Sequence, residues 1–189
     1  MKSMKLLIKI NLFTYLLFAS LSIFASNNAY QNATWETVLK KTLSTYGDRN
    51  WIVVTDSAYP MQSSANITVL NTQANQEKVL KQVLLDIAVE KQIRPEIYSD
   101  FELKYVPEKL APGITEFRHK LAKILSPYIV HSTLHINNIR KLNVESKKYQ
   151  VLLLKTNSLL PYTSLFIKLK AGYWTDTDEN TLRKIIQNK

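Results

Sequence analysis

Tyr46-Gly47-Asp48-Arg49-Asn50-Trp51-Ile52-Val53-Val54-Thr55-Asp56-Ser57-Ala58-Tyr59-Pro60 joins the end of one helix to a buried strand and to the loop that leaves it. Trp51 to Val54 is an unbroken apolar, β-branched run, the composition of a strand covered on both faces. Gly47 can take the left-handed backbone region and is expected to stop the preceding helix. Asp56 and Pro60 mark the exit loop. A buried strand that delivers an acid at its carboxyl end fits an open α/β sheet, whose ligands bind just beyond those ends.

Working outward, Thr34 is placed as an N-cap, and Trp35, Val38, Leu39, Leu43 and Tyr46 recur at helical spacing before Gly47. After the Asp56–Ala65 loop, Ile67 to Leu70 is β-like. Asn75 then caps a long helix whose stripe is Val79, Leu80, Val83, Leu84, Ile87 and Ala88. Arg94-Pro95 is expected to end that helix, because the residue before a proline is pushed out of the helical region. Glu96 to Val106 is expected as a strand bounded by Pro107. Ile114, Phe117, Leu121, Ile124 and Leu125 predict a third helix stopping near Ser126-Pro127, and Tyr128 to Val130 a short strand. Residues 136–147 form a polar helical pattern, Tyr149 to Lys155 a strand, and Leu165, Ile167 and Leu169 the inward positions of a closing strand. Thr177 to Lys189 is expected as a surface helix capped near Asp178. This alternation predicts a single α/β domain with a largely parallel sheet flanked by helices.

The 189 residues, 46% of them hydrophobic, suffice for one well-packed domain. Lys2, Lys5 and Lys9 precede the apolar stretch Ile10 to Phe24, and Ile23-Phe24-Ala25 has the small-residue form of a cleavage site. A secretory signal peptide is therefore expected over residues 1–25, with the domain in 26–189 behind a short polar leader. Such a protein is periplasmic or secreted, with no stable membrane insertion once the signal is cleaved. Removing three signal lysines takes the formal charge from +10 to +7. The remaining Lys and Arg are scattered, which describes a solvated basic surface, not a nucleic-acid footprint. No cysteine occurs, so packing alone must hold the exported domain together. With only three glycines, neither the dinucleotide nor the P-loop fingerprint can be written. His131 and His135 are four apart, the spacing of two metal ligands on a helix, but Pro127 and the apolar run around them argue against a helix there.

Three blocks in order resemble the D-ribose pyranase and L-fucose mutarotase family. Gly47 to Pro60 resembles its Gly-His-x-Asp segment, strand and Asp-Ala-x-x-Pro exit. Val79 to Ile97, with Ala88-Val89-Glu90-Lys91, is similar to the pyranase branch. Val151 to Tyr173, with Lys155-Thr156, Pro161-Tyr162 and the strand Ser164 to Gly172, is similar to its Arg-Thr-Gly-Glu-x-x-Pro-Tyr-x-Asn motif. The resemblance implies a compact α/β fold, ring-shaped homo-oligomers built from pentamers up to decamers, and sites completed between subunits. It also implies action on a monosaccharide, with no metal or organic cofactor.

Carried over residue by residue, the resemblance makes Asp56 the strand-end aspartate and Tyr162 the late tyrosine. Arg140 falls where the family carries a His or Arg before its last helix. The family's histidine aligns with Asp48, its following aspartate with Asn50, its Gly-Glu with Asn157-Ser158 and its late asparagine with Ser164. Ring opening of a hemiacetal needs one group to take the anomeric proton and another to protonate the ring oxygen. Asp48, Asp56 and Tyr162 are thus the expected catalytic residues, with Arg140 and Ser164 binding substrate. Aspartate is a poorer proton donor than histidine near neutral pH. A sugar-binding or structural oligomer without catalysis is the alternative expectation.

Overall fold

The computed structural model describes residues 34–188. The expected signal peptide, 1–25, lies outside the described residues. Thr34–Val38 belong to an N-terminal unit of their own, whose described part is the first turn of α1 (Trp35–Leu43). There Thr34 Oγ1 accepts the Thr37 N–H at 3.3 Å, as an N-cap should.

From Leu39 onward the chain builds β1 (Trp51–Thr55), β2 (Ile67–Asn71), α2 (Gln76–Val89), β3 (Ile93–Asp100), a 3₁₀ turn (Phe101–Tyr105), α3 (Ile114–Leu125), β4 (Val130–Thr133), α4 (His135–Glu145), β5 (Val151–Lys155), β6 (Leu165–Ala171) and α5 (Asp176–Gln187). The six strands form one sheet in the order β2-β5-β1-β6-β3-β4. Only β6 runs against the others, pairing antiparallel with β1 and β3. The expected α/β domain with a largely parallel sheet is the observed one.

The strand order explains the layers. The β2-to-β3 and β4-to-β5 connections cross the sheet in opposite directions, and right-handed crossovers of opposite direction put their helices on opposite faces. On the α4 face, Trp51 and Val53 of β1 meet Val151 and Leu153 of β5, Phe166 of β6, and Leu142 and Ile139 of α4. On the other, α2 packs on β1 and β3, with α3 against α2. All five β1 residues are buried, as the apolar run requires.

Three expectations are corrected. The long helix α2 ends at Val89, not at Arg94-Pro95, which lie inside β3. Gly47 is not left-handed; α1 closes when Thr45 and Tyr46 N–H groups both return to Thr42 O, and the left-handed residue is Arg49, at φ 73°. The strand expected at Glu96–Val106 instead starts at Ile93 and yields to the 3₁₀ turn after Asp100. Pro95 is tolerated inside β3 because β4 pairs only from Ile97 onward, so β3 is locally an edge there. The caps of α2 and α5 come from residues at their own starts. Asn75 accepts the Lys78 N–H at 2.8 Å, while α5 is capped by Thr175 with Asp178 returning the bond. Among the described residues no helix is long and apolar enough to cross a membrane.

Candidate functional site

The carboxyl ends of the parallel strands and the start of β6 lie at one edge of the sheet, where β1, β6, β3 and β4 are neighbours. Four segments arrive there: the β1 exit with Asp56 and Tyr59, Asp100 at the end of β3, the β4–α4 junction with His135, and Tyr162 ahead of β6. This is the edge at which open α/β sheets hold ligands.

Its centre is an acid–imidazole pair. Asp100 Oδ2 lies 2.7 Å from His135 Nδ1, with the Asp100 side chain wholly buried and about a third of the imidazole (35%) in solvent. Asn138, one turn further along α4, donates to Asp100 Oδ1 at 2.8 Å and to Ser99 O at 3.3 Å. Its own Oδ1 meets Thr133 Oγ1 at 2.5 Å. Both Asp100 oxygens are thereby engaged, and an ionised Asp100 accepts from Nδ1, the tautomer inferred from the hydrogen-bond network. That leaves Nε2 as the free lone pair. Burial pushes the Asp100 carboxyl up from its ordinary value, against the hydrogen bonds from Asn138 and His135 and the attraction of the imidazole, which pull it down.

The imidazole is held by backbone as well. Leu134 precedes α4 and offers no side-chain cap, so Glu102 of the 3₁₀ turn takes that role, accepting the His135 N–H at 2.9 and 3.1 Å. A carboxylate at a helix N-terminus is also favoured by the helix dipole. Tyr162, left-handed at φ 56°, sets its ring edge-on to His135 with centroids 5.7 Å apart. Asp56 closes the β1 exit by accepting the Ala58 N–H at 2.8 Å. Between these groups Tyr59 is buried, its phenol pushed up to about 12 by desolvation and then by the nearby Asp100 and Asp56 carboxylates.

Of the residues expected to form the site, Asp56, Tyr162 and Ser164 come to this edge, Ser164 buried at the entry to β6. Asp48 does not. It precedes β1, whose five residues span about 16 Å, and its carboxylate meets Arg49 Nε at 3.3 Å with both side chains open to solvent. Within one chain Asp48 and Asp56 sit at opposite ends of the strand. Arg140 is also displaced: it lies inside α4, five residues past His135, where a turn of 100° per residue carries it well away from the inward face. The histidine at the start of α4 is His135 itself. The expectation against a helix around His131 and His135 holds for His131, on β4, whereas His135 opens α4. Among the described residues no three His, Asp or Glu are grouped to hold a metal.

No protein-family model matches the chain, and no curated protein matches it in sequence. Among solved structures, Bacillus subtilis RbsD complexed with D-ribose aligns with a TM-score of 0.51 at 17% identity, over 76% of this chain and 98% of that one. FucU from Bifidobacterium longum aligns with a TM-score of 0.50 at 14% identity, over 70% of this chain and 92% of that one. The fucose mutarotase of Streptococcus pneumoniae, in complex with L-fucose, aligns at 17% identity with a TM-score of 0.48, over 71% and 91%. The chain therefore has the fold of RbsD and FucU.

Proposed function

We propose that this protein binds a reducing monosaccharide and interconverts its anomers or ring forms by acid–base ring opening at the Asp100–His135 pair. The observation that carries the proposal is the buried Asp100 fixed to His135 Nδ1 at 2.7 Å, with Nε2 left free beside Tyr162. His135 Nε2 takes the proton of the anomeric hydroxyl while the bond from the anomeric carbon to the ring oxygen breaks. The Tyr162 hydroxyl supplies a proton to that oxygen. Closure on the other face, or onto another hydroxyl, returns both protons. Asp100 stabilises the imidazolium formed in between, and Asp56 accepts from a sugar hydroxyl. The fold shared with RbsD, solved with D-ribose, supports a monosaccharide as the ligand.

Saturation-transfer NMR on D-ribose, L-fucose and D-galactose tests this. Faster exchange between the anomeric or ring-form signals at micromolar protein is expected. Binding with no acceleration would leave the non-catalytic sugar-binding oligomer in its place, and neither binding nor acceleration would remove both. The proposal extends to export, on the strength of Lys2, Lys5, Lys9, the Ile10–Phe24 stretch and Ala25. Mass spectrometry of the secreted chain should find it starting at Ser26. Assembly into a ring-shaped homo-oligomer is proposed from the family resemblance, and native mass spectrometry reads it directly.

A further inference from the structure

At the opposite end of the sheet, a cavity of about 350 Å³ is lined by Arg49, Val144, Glu145, Lys148, Tyr149 and Lys168. Its size is that of a small-molecule site. Three cations line it with one carboxylate, and Arg49 Nε also meets Asp48 Oδ2 at 3.3 Å beside it; the arrangement is more specific than a basic surface. Arg49 is held in the left-handed region at φ 73°, a conformation that residues with a Cβ avoid. That backbone aims the guanidinium across to Tyr149, where Nη1 donates to the phenol oxygen at 3.0 Å and the cationic carbon lies 5.9 Å from the ring centroid. The Tyr149 O–H is left to donate elsewhere.

The carboxylate gives the second, independent sign. Glu145 Oε2 is buried with no hydrogen-bond donor. Lys168 Nζ comes only to 3.9 Å, beyond hydrogen-bond distance, so the two do not satisfy each other. A site with cations and one unfilled acceptor asks for an anion that also carries a hydroxyl. A phosphate monoester bears up to two charges and three acceptor oxygens, the chemistry that Arg and Lys recognise best.

We propose that this cavity binds a small hydroxylated phosphate monoester, its phosphate held by Arg49, Lys148 and Lys168 and a hydroxyl donating to the Glu145 carboxylate. The site shares no residue with the Asp100–His135 pair and stands or falls independently of the reaction proposed there.

Glycerol 3-phosphate is the probe, because it carries the phosphate and the hydroxyls but has no anomeric centre for the other site. Calorimetric titration of the full chain at low salt should show one site per chain, with glycerol 3-phosphate bound more tightly than methyl phosphate. Arg49→Gly relieves the left-handed backbone and so folds at least as well as the parent; it and Lys148→Gln should each weaken binding by about tenfold or more. Glu145→Ala should abolish the preference over methyl phosphate. No binding at about 10 mM glycerol 3-phosphate, equal affinity for the two esters in the parent protein, or undiminished binding by Arg49→Gly and Lys148→Gln would each overturn the proposal.

Discussion

Asp100 is a costly residue to keep. Its carboxyl is pushed up by burial, so its contribution to stability is fully present below the ordinary carboxylate range and is lost as pH rises through its folded value. At neutral pH a buried ionised acid is a liability, and such liabilities persist where function needs them. Asp100→Asn should therefore separate the two properties. Relative to the parent, its urea midpoint moves in the variant's favour as pH is raised from 3 to 7, while exchange catalysis falls by on the order of tenfold or more, because an amide no longer fixes the imidazole tautomer. ¹⁵N NMR of the His135 ring reads that tautomer directly, and an unchanged tautomer in Asp100→Asn would overturn this role. His135→Ala removes the proposed proton carrier and should slow exchange by about 10² to 10⁴-fold, measured by saturation transfer. Asp56 and Tyr162 were legible in the sequence because each sits beside a strong local signal, a strand end or a Pro-Tyr pair. Asp100 was not, since the Glu96–Val106 pattern hid it inside an expected strand, and the sign that would have exposed it is His135 and Asn138 spaced three apart at the start of a polar helix.

Among the elements, those with a residue-specific cap were readable and those shaped by distant partners were not. Asn75 and the α2 stripe fix that helix locally. The entry to α3 depends instead on Glu108, whose carboxylate accepts the Gly113 and Thr115 N–H groups across a loop. Those bonds hold its carboxyl below the ordinary range. The sign is opposite to that of Asp100: the stabilisation is complete above the unfolded carboxylate range and is lost as pH falls through the folded value. Glu108→Ala should lower the urea midpoint at pH 7, and the difference from the parent should shrink towards pH 3. Gly172 is set by a contact no pattern reveals. A Cβ there would run into Lys91 O and come within 3.0 Å of Ile93 N and Ile93 O, all main-chain atoms that cannot rotate away. Gly172→Ala should cost about 1–3 kcal/mol by forcing β6 off the start of β3, visible as a lower midpoint with an unchanged denaturant slope.

On the scale of the molecule, the strand order gathers residues 56, 100, 135 and 162 at one edge and sends Asp48 to the other. Alternating strands and helices predict the layers, but not that an antiparallel β6 is inserted between β1 and β3, and that insertion carries Tyr162 to His135. The same architecture dictates how a ligand should couple to folding. On the proposed reading, a sugar held by segments from β1, β3, β4 and β6 finds its site only when the sheet is complete, so it binds the native state alone and stabilises it by mass action. At a hundredfold excess over its dissociation constant, D-ribose or another accepted sugar should add about 2.7 kcal/mol, a rise in melting temperature of about 5–10 °C for a domain of this size. His135→Ala keeps the sheet but removes a central contact, so its own melting temperature should stay close to the parent's while the sugar-induced rise shrinks. A rise of equal size in the variant would show that the sugar binds somewhere other than this edge.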